Sequence, residues 1–167
     1  MEYASPSGTS SEARGQKRVA ELIRVPAEGV IEGIITSSEI WELPTHWSQG
    51  RTRPCIARTD QCMLCESLSV RWYYLIELYL RLKQRRVWVQ LTEDAKLSLQ
   101  LQLREGRTLH GRDVRIGRER KTLRAPVWII LESGTTDPER LPKPRSPQET
   151  LERVFNEKAA HRQRKAS

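Results

Sequence analysis

Cysteine is scarce in this chain. There are three, and an odd number leaves one thiol over in any intramolecular disulfide scheme. Phenylalanine occurs once and methionine twice. No apolar run reaches the length of a membrane span. The opening residues, MEYASPSGTSSEARG, lack the apolar stretch of a secretory signal. There are no paired carboxylates at motif spacing, no phosphate-binding glycine loop and no nucleophile elbow. These absences argue against a secreted disulfide scaffold, a membrane-spanning protein and the commoner enzyme classes. The expectation is a non-enzymatic protein with no membrane partner, in a reducing compartment such as the bacterial cytoplasm or nucleoid.

What cysteine there is lies together. The stretch His46 to Cys65 reads HWSQGRTRPCIARTDQCMLC, an H-x8-C-x6-C-x2-C pattern holding every cysteine of the chain. Buried free cysteines are often no more than small hydrophobes. Three in one short polar segment argue for metal ligation instead. Zinc takes four tetrahedral ligands, and Cys3His is a common closed shell. Cys62 and Cys65 would supply two thiolates from one tight turn, with His46 and Cys55 on a second arm. Asp60, Glu66 and His110 compete with His46 for the fourth position. Arg51, Arg53 and Arg58 flank the ligands and are expected to favour the thiolate form. A closed shell leaves no place for a reactive water, so Zn2+ would be structural. Such a site couples about 10–16 kcal/mol of apparent binding free energy to folding.

Lysine and arginine number 29 against 21 acidic residues, a net charge of +8. That excess points to a polyanionic partner, most often nucleic acid.

The remaining segments suggest a mainly β fold with some α. Residues 1–15 have no periodicity and read as disordered. A domain is expected over 16–131, with the zinc arm at 44–70. Residues 16–24 read as a short helix or the approach to a strand. Val30 to Leu43 is rich in β-branched residues and reads as one long strand, bent at Gly33 and ended by Pro44. Arg71 to Leu82 alternates strictly and reads as a strand. Val87 to Leu91 follows the turn KQRR and completes a hairpin. Thr92 is placed to cap a helix running to Arg104, with Glu93 and Asp94 in its first turn. Two short strands are expected at Asp113 to Arg118 and Ala125 to Leu131. Residues 132–147 carry four prolines and read as a linker. Ser146-Pro147-Gln148-Glu149 forms a capping box. Leu151, Val154, Phe155 and Ala159 then mark one face of a C-terminal helix, followed by a basic tail to residue 167.

One long first strand, with a helix between the third and fourth of five strands, is the order of an OB-fold barrel. The arm after that strand resembles the zinc subdomain of the T-even phage single-stranded-DNA-binding protein family. Its ligands run His, Cys, Cys, Cys and end in C-x2-C. His46, Cys55, Cys62 and Cys65 follow that order at shorter spacings. The tyrosines after Cys65 and the stretch GRDVRIGRERKTLRAPVWIIL are also similar. The resemblance spans about residues 30–131 and is one of pattern. It implies a zinc-containing OB-fold that binds single-stranded DNA without sequence preference, in replication, recombination or repair of a phage or mobile element. Replication or recombination proteins would be further partners. The family's acidic C-terminal tail is replaced here by a basic one, and its basic N-terminal motif is reduced to Lys17 and Arg18. An adaptor that binds another protein, or RNA, through its hairpin and terminal helix is the alternative.

Single strands are gripped by aromatic platforms and a basic groove. Tyr73, Tyr79, Trp88 and Trp47 are the candidate platforms, while Trp72 and Tyr74 read as core. Arg51, Arg53, Arg58, Arg71, Arg86, Arg118, Arg120 and Lys121 are the candidate phosphate contacts.

Overall fold

The computed structural model describes residues 21–55, 61–103 and 108–145. The expectations for the N-terminal segment, for Arg58 and Asp60, and for the C-terminal helix and tail lie outside the described residues.

The strands are β1 (Glu21–Arg24), β2 (Ile31–Ile35), β3 (Trp41–Ser48), β4 (Arg51–Pro54), β5 (Arg71–Leu80), β6 (Arg85–Leu91), β7 (Arg112–Arg118) and β8 (Val127–Thr135). The helix α1 spans Glu93–Leu103. Short 3-10 turns cover Met63–Glu66, Arg81–Lys83 and Pro138–Arg140. The protein is therefore mainly β with one helix among the described residues.

All eight strands belong to one sheet, ordered β1-β6-β5-β2-β7-β8, with β3 beside β5 and β4 beside β3. The β1–β6 pair is parallel and the other pairs are antiparallel. The five-stranded barrel is corrected to an open eight-stranded sheet. Three features make the difference: β1 adds a parallel edge strand, the predicted first strand is two strands, and the arm contributes β4.

The first strand breaks at Thr36 and Ser37, whose side chains bind elsewhere. Thr36 Oγ1 donates to Glu77 Oε2 at 2.9 Å, and Ser37 Oγ accepts from the Glu77 N–H at 3.2 Å. These side chains thus tie the break between β2 and β3 to Glu77 of β5. Gly33 does not bend β2. A Cβ there would stand 2.9 Å from the carbonyl oxygen of Tyr79, so glycine permits the close approach of β5. Pro44 does not end β3 either. It lies where that strand passes from β5 to β4 as partner, and its carbonyl accepts from the Cys55 N–H at 2.8 Å.

Strand β5 alternates as its sequence predicts. Ile76, Leu78 and Leu80 enter the main core with Val87, Val89 and Leu91 of β6 and with residues of β2, β7 and β8. Ala95 and Leu99 of α1 are buried in the same core, while Leu97 and Leu101 are exposed. Thr92 Oγ1 caps the helix by accepting from Ala95 N–H at 3.3 Å. Gln102 fixes α1 to β8. Its Nε2 donates to Ile129 O and its Oε1 accepts from Leu131 N–H, both at 2.9 Å. Strand β8 runs past the predicted Leu131 to Thr135, so the Pro-rich segment starts as strand.

Candidate metal centre

The spacing His-x8-Cys is the arithmetic of a tight hairpin. Strands β3 and β4 are joined by Gln49 and Gly50, with φ of 50° and 71°. Two successive positive φ values define a two-residue turn matched to strand twist. The register sets His46 opposite Arg53 and Thr45 opposite Pro54. Cys55, two positions beyond Arg53, therefore falls on the same side of the hairpin as His46. The Cys55 N–H bond to Pro44 holds it there.

Cys62 and Cys65 come from the 3-10 turn that follows. The Cys65 N–H donates to Cys62 O at 3.1 Å, and Leu68 N–H to Leu64 O at 2.9 Å. This knuckle turns both sulfurs toward His46. Its Nε2 lies 3.4 Å from Cys65 Sγ and 3.6 Å from Cys62 Sγ, and Cys55 Sγ is 3.5 Å from Cys65 Sγ. The four ligand atoms all lie within 4.8 Å of one another. None of the cysteines is in a disulfide. Tetrahedral ligands at zinc-like bond lengths would sit about 3.5–3.8 Å apart. The donor set is thus compact enough to hold a tetrahedral ion. Neither Glu66 nor His110 joins the cluster among the described residues.

Second contacts orient the set. His46 is fully buried, and its Nδ1 is 3.2 Å from the carbonyl oxygen of Ser69. A carbonyl acceptor at one ring nitrogen leaves the lone pair on the other, the tautomer a metal ligand needs. Neighbouring arginines do not bring the thiol of Cys65 toward the thiolate. The hydrogen bond with Cys55, then burial, then Cys62 push it up to about 12. A bound cation would reverse that, because coordination deprotonates a thiol outright.

Comparison with known protein families, characterised proteins and solved structures gives no match to this chain. Its chemistry is therefore read from its own geometry.

The candidate platforms separate on burial. Trp88 is 1% exposed, in a second apolar cluster with Leu75, and offers no face to a base. Tyr73 is half-buried at the edge of that cluster, its hydroxyl 3.0 Å from Thr52 Oγ1. Tyr79 is half-buried. Trp47 is 48% exposed on the β3–β4 hairpin. Trp72, expected in the core, is 44% exposed at the start of β5. It stands opposite Pro44, next to the arm. Tyr74 does pack on the core, with Lys96 Nζ 4.4 Å above its ring.

The candidate cations also divide. Arg118 is a structural clamp, donating to Val25 O at 3.1 Å and Ala125 O at 2.6 Å. Arg86 donates to Lys143 O at 2.7 Å and lies 3.9 Å from Glu77, with burial lowering its pKa. Arg53 donates to Gln49 Oε1 at 2.9 Å along the hairpin. Arg71, Arg120 and Lys121 are exposed, Lys121 within 3.9 Å of Glu28. Arg51 lies on β4 at the far side of the turn.

Proposed function

We propose that this chain is a zinc-stabilised protein that binds single-stranded nucleic acid, DNA by preference, with no catalytic role. One observation carries the reading. The Cys3His cluster fixes a hairpin on which Trp47 stands about half exposed, on the same face as Tyr73. An exposed indole on a rigid support is a platform on which an unpaired base stacks. Arg71, exposed at the base of the arm and opposite Thr45, supplies a cation on that same face. The metal in this reading is zinc, because a compact set of three thiolates and one imidazole suits that ion. With four protein ligands it holds structure and activates no water. The net charge of +8 supports the same reading, as does the resemblance to the phage family. Replication, recombination or repair is the setting this implies.

Trp88, Arg86 and Arg118 have no part in it, since each is occupied within the fold. An adaptor that binds protein is favoured by a different observation: Leu82, at the tip of the β5–β6 hairpin, and Met63, on the knuckle, are strongly exposed. Fluorescence anisotropy separates the two. Labelled oligo-dT should bind at low salt more tightly than duplex DNA of equal length. Affinity should fall with a log–log salt slope of about −0.7 per phosphate contacted. No binding of either at low salt leaves the adaptor reading.

A further inference from the structure

Among the described residues, β1, β4 and β8 each have a single strand neighbour. An edge strand offers its unpaired N–H and C=O groups to any other strand that meets it, and proteins guard such edges. Strands β1 and β4 are short, four residues each, and carry charge or proline: Glu21 and Arg24 on β1, Arg51, Arg53 and Pro54 on β4. Strand β8 is different. It has nine residues, and it opens Val127-Trp128-Ile129-Ile130-Leu131 with no charge. A long apolar edge of this kind is where a second chain would add itself to the sheet.

One side chain of α1 meets the middle of that edge. Gln102 Nε2 donates to Ile129 O, and Gln102 Oε1 accepts from Leu131 N–H, both at 2.9 Å. Backbone groups alternate in direction along an antiparallel strand, so these two point away from β7. The carbonyl of one residue and the N–H of the next but one are the pair an edge presents to a neighbouring strand. The Gln102 amide occupies both, across Ile130. Glutamine suits the task because it carries a donor and an acceptor on one planar group. Ser98, one turn back on α1, helps to orient it, its Oγ and its carbonyl oxygen each 3.4 Å from Nε2.

We propose that Gln102 stands in for a strand and seals the edge of β8 against pairing with a second copy of this chain. A second copy is the partner that an opened edge would take, because it brings an identical uncharged run. Two β8 edges related by a twofold axis pair antiparallel and close on each other. Gln102 thus does more than attach α1: it keeps the sheet from extending across molecules. This inference stands apart from the nucleic-acid reading, since it rests on two hydrogen bonds and on the place of β8 in the sheet.

Gln102→Met in the full chain keeps the length of the side chain and a high helix propensity, and removes both bonds. Amide hydrogen exchange, followed by NMR, reads the edge at Leu131. At low protein concentration that amide should exchange about tenfold faster than in the parent, the weight of one hydrogen bond. At high concentration its protection should return, as sedimentation velocity shows a species heavier than the parent. Unchanged exchange at Leu131 overturns the proposal. So does faster exchange at every concentration with no heavier species, or a heavier species in which Leu131 stays unprotected. Gln102→Ala, with the best helix propensity, repeats the test if the methionine variant does not fold. Loss of the fold in both overturns the proposal too, because Gln102 would then be holding the core together and guarding no edge.

Discussion

The Nε2 atom of His46 stands 3.4 Å from the sulfur of Cys65, while the other nitrogen of the same ring faces the carbonyl of Ser69. One buried ring therefore joins the β3–β4 hairpin to both the knuckle and the loop that leads into β5. If an ion sits between these ligands, removing one ligand releases three segments at once. Cys62→Ser should abolish stoichiometric metal binding and destabilise the chain by several kcal/mol, given the roughly 10–16 kcal/mol such sites couple to folding. Thermal melting with and without chelator reads it. A variant that melts like the parent, with chelator acting equally on both, would show the cluster to be incidental.

Metal capture should depend on pH in one direction. Without a metal, Cys65 is pushed up to about 12, chiefly by its hydrogen bond with Cys55, so it is protonated at neutral pH. Coordination expels that proton. Apparent affinity should rise with pH, by about tenfold per unit for each proton released. Competition with a chromophoric chelator between pH 6 and 8 measures the slope. A flat profile would mean that thiolates are not the ligands.

The tryptophans should part company on substitution. Trp47→Ala should weaken single-strand binding by about 1–3 kcal/mol, Trp72→Ala, on the other face of the sheet, should not, and both should leave the melting temperature nearly unchanged. Trp88→Ala should cost about 3–5 kcal/mol of stability, because it empties a packed site. Equal loss of DNA affinity in all three, matched by equal loss of stability, would remove the platform argument.

Gly33→Ala should destabilise the fold by about 1–3 kcal/mol, since its Cβ would press on the backbone oxygen of Tyr79. The neighbouring strands cannot part without loosening the β2–β5 pair. Chemical denaturation checks this, and a neutral result would mean that β2 is free to move away from β5.

What could be read from the sequence followed from local rules. The alternation of Tyr74, Ile76 and Leu78 marks β5, and Thr92 before two acidic residues marks the start of α1. The ligand order His46, Cys55, Cys62, Cys65 marks a cluster that the fold brings together. Other features depend on partners far along the chain. Thr36 and Ser37 break the first strand because of Glu77, about forty residues on. Leu97 and Leu101 look like strand residues, yet a helix buries Ala95 and Leu99, one turn apart, and leaves the alternate leucines in water. Trp88 is buried on the face of its strand away from Val87 and Val89, against Leu22 and Trp41, which lie far from it in the sequence. The turn at Gln49-Gly50 was legible in principle, as a glycine-containing pair between short alternating segments.

Native mass spectrometry of the full chain, purified without added metal, tests the central claim most directly. The account predicts a mass increased by one zinc ion per chain, with the coordinated thiols' protons lost, and a return to the fully reduced apo mass on acidification. A native mass equal to the bare reduced chain, or lower by the two hydrogens of a disulfide, would contradict it.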